Sequence, residues 1–124
     1  MKRATLLVLL AAAFGTAQAR LVDIEWDTAR RFETTAAIAP GKMLEVCGRI
    51  DKRQQVAWSF ESDAALDFNI HYHEGTRVVF AARRDATSAA GDTLVAPLRQ
   101  DYCWMWTNRG VAPVSVTLIL QQRQ

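Results

Sequence analysis

The chain is 124 residues long, half of them hydrophobic, a size that suits one domain with one core. It carries 15 Lys and Arg against 13 Asp and Glu, and two of those cations, Lys2 and Arg3, fall in an N-terminal leader. The remainder is balanced at 13 against 13, so it has no net field to concentrate phosphate backbones, which argues against nucleic acid as a partner.

Residues 1–19 have the layout of a cleaved secretory signal: Lys2 and Arg3, then the apolar run Leu6 to Phe14, then Ala17-Gln18-Ala19 as a small-x-small cleavage site. The run is too short to cross a hydrocarbon core of about 30 Å, and no second apolar stretch follows. The expectation is a periplasmic or secreted chain whose domain spans residues 20–124, with no transmembrane segment after cleavage.

From Arg20 on, alternation dominates. Val22, Ile24 and Trp26 alternate with Asp23 and Glu25, and Asp27 to Phe32 offers at most one helical turn. After the Pro40-Gly41 turn come Leu44, Val46 and Ile50, then Val56, Trp58 and Phe60. Leu66, Phe68, Ile70 and Tyr72 follow, and Glu74-Gly75 turns the chain into Val78 and Phe80. The stretch from Arg83 to Asp92 is rich in Ala, Ser and Asp and reads as an exposed loop. Tyr102, Trp104 and Trp106 form a further strand, and Val114, Val116, Leu118 and Leu120 form the last. Period two with β-branched and aromatic residues, broken by Gly, Pro and Asp, is the mark of strands. Eight or nine short strands imply an all-β, two-sheet antiparallel sandwich, because a single flat sheet would leave its apolar face wet.

The domain holds two cysteines, Cys47 and Cys103. An even pair in an oxidising compartment reads as a disulfide, worth roughly 3–5 kcal/mol in the chain-entropy model. A reduced pair acting as soft metal ligands is the alternative reading.

The order of aromatic positions and turns over residues 38–122 resembles the GOLD (Golgi dynamics) domain. The residues that carry it are Pro40-Gly41, Val56-x-Trp58-x-Phe60, Asp67-Phe68-x-Ile70, Gly75 with Val78-Val79, Gly91, Tyr102-x-Trp104-x-Trp106-x-Asn108 and Val114-x-Val116. The resemblance implies a compact β-sandwich of jelly-roll type that binds a protein or a small apolar or lipid ligand without catalysis. The cargo receptors of that family carry a coiled coil and a membrane anchor after the domain, whereas this chain stops at Gln124. A role in vesicle traffic is therefore not carried over, and an exported bacterial relative is the better match.

The most pointed polar constellation is His71-Tyr72-His73, which contains both histidines of the chain. Residues two apart on a strand share a face, with Cα atoms roughly 7 Å apart. Asn69 shares that face, and Glu74 is adjacent at the turn. Parity also turns Met43, Glu45, Cys47, Cys103 and Met105 away from the core, so the outward inventory of His, Cys and Met suits copper or zinc. His71, His73 and Met105 are the candidate metal ligands, on condition that their strands share one sheet. Imidazoles on the wet face of an amphipathic strand need no metal to explain them. The aromatic run Tyr102, Trp104 and Trp106 reads as packing rather than as a stacking platform. The clusters Arg30-Arg31, Arg49 to Arg53 and Arg83-Arg84 read as solvated turns. The chain has no nucleophile elbow, phosphate loop, helical metalloprotease motif or Cys-x-x-Cys, so no catalytic residue is assigned and the expectation is a binding protein without a required cofactor.

Overall fold

The computed structural model describes residues 19–123. The expected leader lies outside the described residues except for Ala19, which opens the first strand. Seven strands are formed: β1 (Ala19–Asp23), β2 (Arg31–Ile38), β3 (Met43–Ile50), β4 (Gln55–Glu74), β5 (Arg77–Val95), β6 (Gln100–Thr107) and β7 (Val114–Arg123). No helix is present among the described residues.

All seven belong to one sheet, and β4 is its hinge. Along one edge β4 pairs with β5 from Gln55 to Glu74. Its other edge is divided: Gln55 to Ser62 pair with β7, and Asp67 to His71 pair with β6. The sheet thus has two wings. One runs β1-β3-β6 into the second half of β4, and the other runs β2-β7 into the first half. The chain is all-β, as the alternation implied; in place of eight or nine short strands in two sheets, the described residues form seven strands in one sheet, continuous through the β4–β5 hairpin.

The bend in β4 follows from its aromatic residues. Phe60 and Phe68 are eight residues apart, which on a straight strand would separate them by roughly 26 Å. Their ring centroids are 4.7 Å apart, and Trp58 and Phe68 are 5.1 Å apart. Only a strand that turns back on itself brings them together. The turn is the register break between Glu61 and Leu66, where β4 carries extra residues relative to β5. Polar side chains satisfy the freed backbone there. Ser62 Oγ donates to the carbonyl oxygens of Ala64 and Ser88, and the Ser115 N–H donates to Asp63 Oδ1.

Both halves of β4 point their even-numbered residues inward. Val56, Trp58, Phe60, Leu66, Phe68 and Ile70 are buried, as are Leu44, Val46, Trp104, Trp106, Val116, Leu118 and Leu120 from the flanking strands. Trp106 packs edge-on to Phe60 at 5.6 Å and tilted against Phe68 at 5.3 Å. The Tyr102-x-Trp104-x-Trp106 run is therefore core. Asn108, fully buried just past β6, ties three segments together: its Nδ2 donates to the carbonyls of Ile38 and Ala112, and its Oδ1 accepts from the Gly110 N–H.

Three further expectations change. The stretch 83–92 is the second half of β5 and not a loop; its Ala, Ser and Asp side chains leave no apolar alternation to read, yet its backbone is held by β4. Asp27 to Phe32 is no helical turn: Asp27 Oδ1 accepts from the Ala29 and Arg31 N–H groups, closing a tight turn into β2. Nor is the sheet wholly antiparallel, since β1 pairs with β3 in parallel. The chain between them crosses to the far edge and back as β2, which is the long crossover that a parallel pair needs.

Phe68 touches Trp58, Phe60 and Trp106 at the centre of the bend. Phe68→Ala is expected to cost about 3–5 kcal/mol in chemical denaturation, the range for deleting a buried aromatic ring. A loss below about 1 kcal/mol would contradict the placement of this ring.

Candidate functional site

The outer face of the β1-β3-β6-β4-β5 wing collects the outward-pointing chemistry in two rows that cross the sheet. In one, Leu21, Glu45, Met105, Asn69 and Arg83 lie on successive strands in register. In the next, Asp23, Cys47, Cys103, His71 and Phe80 do the same. The His71 and Cys103 strands are therefore neighbours in one sheet. A groove of about 390 Å³ opens over this face, lined among others by Glu45, His71, His73, Phe80, Arg83 and Met105.

Cys47 and Cys103 sit directly opposite each other with Cα atoms 4.1 Å apart and are joined in a disulfide that spans 56 positions. With both sulfurs bonded to each other, neither is a thiolate, which is the form that ligates metals.

His71 is 4% exposed although it lies on an outer face. Phe80 stands beside it across the β4–β5 pairing, and His73 meets it edge-on with ring centroids 5.3 Å apart. Its Nδ1 is 2.7 Å from Asn69 Oδ1, and its Nε2 is 3.5 Å from Glu45 Oε1. Burial pushes the imidazole below its ordinary value, the Glu45 carboxylate pulls the other way, and His73 adds to the lowering. Burial outweighs the carboxylate, so the imidazole sits below its ordinary value. Asn69 presents its carbonyl oxygen, which can only accept, so Nδ1–H donates to it and Nε2 faces the Glu45 side.

His73 is exposed at the groove's rim, and Met105 lies on the neighbouring strand opposite Asn69. The three expected ligands thus share one face. A different set draws together among the described residues, however: Glu45, His71 and Cys103 hold their ligand atoms within 4.8 Å of one another. Parity had already turned Glu45 outward. What the sequence did not disclose is which strands are neighbours, and hence that Glu45 stands over His71.

Around the groove, Phe80 is 48% and Val78 45% exposed, large apolar side chains left open to solvent. The Arg83 guanidinium lies 5.2 Å from the centre of the Phe80 ring. At the far end Asp67 Oδ1 accepts from the Ala86 N–H, at a β5 bulge where Ala86 has φ 48°, and Oδ2 accepts from Arg109. The remaining charge clusters do not converge: Arg31 pairs with Glu33, Arg49 with Asp101, Arg99 with Asp51 and Arg84 with Asp92. A second cleft of about 440 Å³, lined by Ser59, Phe60, Glu61, Ala89, Ala90, Gly91, Thr117 and Ile119, has Glu61 as its one ionisable group.

No protein-family model matches the chain, and no curated protein matches it by sequence. Solved structures do resemble it in fold. PliG from Aeromonas hydrophila, a periplasmic lysozyme inhibitor of g-type lysozyme, superposes with a TM-score of 0.64 at 12% identity, covering 84% of this chain and 98% of that one. PliG from Salmonella Typhimurium gives the same score and coverage at 15% identity. The pre-peptidase C-terminal domain of a Bacillus anthracis collagenase reaches 0.56 at 8% identity, with 88% and 98% covered. At these identities the likeness is one of fold. The GOLD resemblance remains an expectation from sequence.

The hydrogen bond from Ala86, and then Arg109, hold the Asp67 carboxyl below its ordinary value of 3.8. A depressed carboxylate stabilises the fold above its unfolded pKa, and that contribution is lost as pH falls through the folded one. Asp67→Asn is expected to cost about 1 kcal/mol at neutral pH. The difference from wild type should shrink as pH drops below 3.8. Thermal melts across that range check it, and a difference that grows toward acid would contradict the pairing.

Proposed function

We propose that the chain is an exported, non-catalytic protein-binding module that holds its partner along the groove of the β3-β6-β4-β5 face. The observation that carries this reading is the exposed pair Phe80 and Val78 set among Arg83, Arg109, Glu45, Asp67 and Asp85. An aromatic anchor stacked by an arginine and ringed by charges of both signs is the composition of a protein interface. A groove with this many ionisable groups suits a polar protein segment better than a lipid chain. The bend of β4 also fills the interior with Trp58, Phe60, Phe68 and Trp106, so the core is packed where an apolar ligand would need space.

Two likenesses support the same reading. PliG, whose fold this chain shares over most of its length, is a periplasmic inhibitor that acts on another protein. The GOLD resemblance also implies binding, of a protein or of a small apolar or lipid ligand, without catalysis. The leader-like pattern of residues 1–19 supports export.

A g-type lysozyme is the first partner to test. The exported chain is expected to bind it and lower its activity, and to leave a c-type lysozyme unaffected. Phe80→Ala and Arg83→Glu should each weaken binding by at least about 10-fold, as expected for a central anchor and its stacked cation. Absence of binding to the g-type enzyme would remove that partner. Binding that survives both substitutions would move the interface away from this groove.

A further inference from the structure

The Cys47–Cys103 disulfide lies between two clefts. On one side is the groove over Glu45 and His71. On the other is a cleft of about 360 Å³ lined by Leu21, Asp23, Glu45, Cys47, Gly48, Asp101 and Cys103. Glu45 borders both. The sulfur of Cys103, a ring nitrogen of His71 and a carboxylate oxygen of Glu45 lie within 4.8 Å of one another, and the Cys47 sulfur is bonded to the first of these. Three donor groups from three adjacent strands therefore lie together, one of them the 4% exposed His71, and the disulfide bond ties Cys47 to Cys103.

The surroundings of His71 suit a ligating imidazole. Its Nδ1 is engaged by Asn69, which holds the ring with Nε2 turned toward Glu45. Nε2 and Glu45 Oε1 lie 3.5 Å apart. A metal-binding histidine has this arrangement: one ring nitrogen oriented by an outer hydrogen bond, the other free to ligate. In the oxidised chain the set falls short, because a disulfide sulfur is a poor donor and only His71 and Glu45 remain.

We propose that reduction of the Cys47–Cys103 disulfide opens a zinc site made of Cys47, Cys103, His71 and Glu45, with Asn69 as the residue that orients His71. The reductant is a protein or small-molecule dithiol. One of its thiolates attacks a disulfide sulfur and the other resolves the mixed disulfide. The S–S bond breaks, two electrons and two protons pass to the cysteines, and the dithiol leaves as its own disulfide. Zinc then displaces the two thiol protons to solvent, while His71 ligates as the neutral ring and Glu45 as the carboxylate. Two thiolates, one imidazole and one carboxylate complete the tetrahedral set that zinc takes. Cuprous ion takes the thiolates and the imidazole but has little use for a carboxylate, so Glu45 separates the two metals. The site differs from the histidine pair expected from sequence: His73 and Met105 stand outside it.

The test uses the exported chain, oxidised and after phosphine reduction, with Co(II) as the spectroscopic probe and Zn(II) and Cu(I) in competition with chromophoric chelators. Near-ultraviolet circular dichroism confirms that the reduced chain stays folded. The reduced protein should bind one Co(II) with a thiolate charge-transfer band and tetrahedral d–d bands, and the oxidised protein should show neither. Asn69→Ala should weaken zinc by about 10–100-fold, the usual effect of removing a residue that orients a ligand. His71→Ala should weaken it at least as much, Glu45→Gln should weaken Zn(II) but not Cu(I), and His73→Ala should change nothing. Equal binding by oxidised and reduced chains, no charge-transfer band, or a reduced chain that unfolds would each overturn the site. Cu(I) binding indifferent to Glu45 together with weak zinc would overturn the choice of metal.

Discussion

The structure depends on one constraint: β4 folds back at Ser62–Ala65 so that its two halves share a single core. Twenty residues of continuous strand would otherwise extend an apolar face far beyond anything able to cover it. The fold-back brings Phe60 onto Phe68, places Trp106 against both, and leaves β7 and β6 to take successive halves of the same edge. The polar residues at the bend serve this turn. Ser62 and Asp63 accept or donate where ladder bonds are lost, so the break in register costs less than an orphaned backbone would.

Because the even-numbered residues of β4 are consumed by the core, its odd-numbered residues form the display. Asp67, Asn69, His71 and His73 come up on one wing, and β3, β6 and β5 add Glu45, the disulfide, Met105, Phe80 and Arg83. The groove is thus the reverse side of the fold-back wing, held by strands whose inner faces are among the best packed in the molecule. Such a support keeps an exposed aromatic and its stacked arginine in place without a mobile loop. It also explains how His71 is buried on an outer surface: Phe80, His73 and Glu45 shield it from above while the sheet closes it from below.

Much of this was legible in the chain. The alternation of Leu44-x-Val46, of Phe68-x-Ile70 and of Trp104-x-Trp106 marks core-facing positions, and all six residues are buried. Parity likewise turned Glu45, Cys47, Cys103 and Met105 outward. Two strands were opaque for one physical reason. In β2 the inward series Phe32, Thr34, Ala36 and Ile38 is diluted by small and hydroxyl side chains, and in the second half of β5 it is diluted further. A strand held chiefly by pairing to its neighbour leaves little pattern in its own side chains. The bend at residues 62–65 was equally hidden, since Ser-Asp-Ala-Ala carries neither Gly nor Pro and reads as an ordinary gap between two strands. Strand order is the deeper omission. The approach of Glu45 to His71 across β6 is a fact of topology, and no local spacing encodes it.

The central claim is that the outer face of the β3-β6-β4-β5 wing is the working surface of the molecule. Amide chemical-shift mapping of the isotope-labelled chain with a g-type lysozyme tests it most directly. The account predicts that the largest changes fall on His73, Val78, Phe80, Arg83 and Arg109, with β2 and the outer face of β7 little affected. Changes concentrated on β2 and β7, or none at saturating lysozyme, would contradict it.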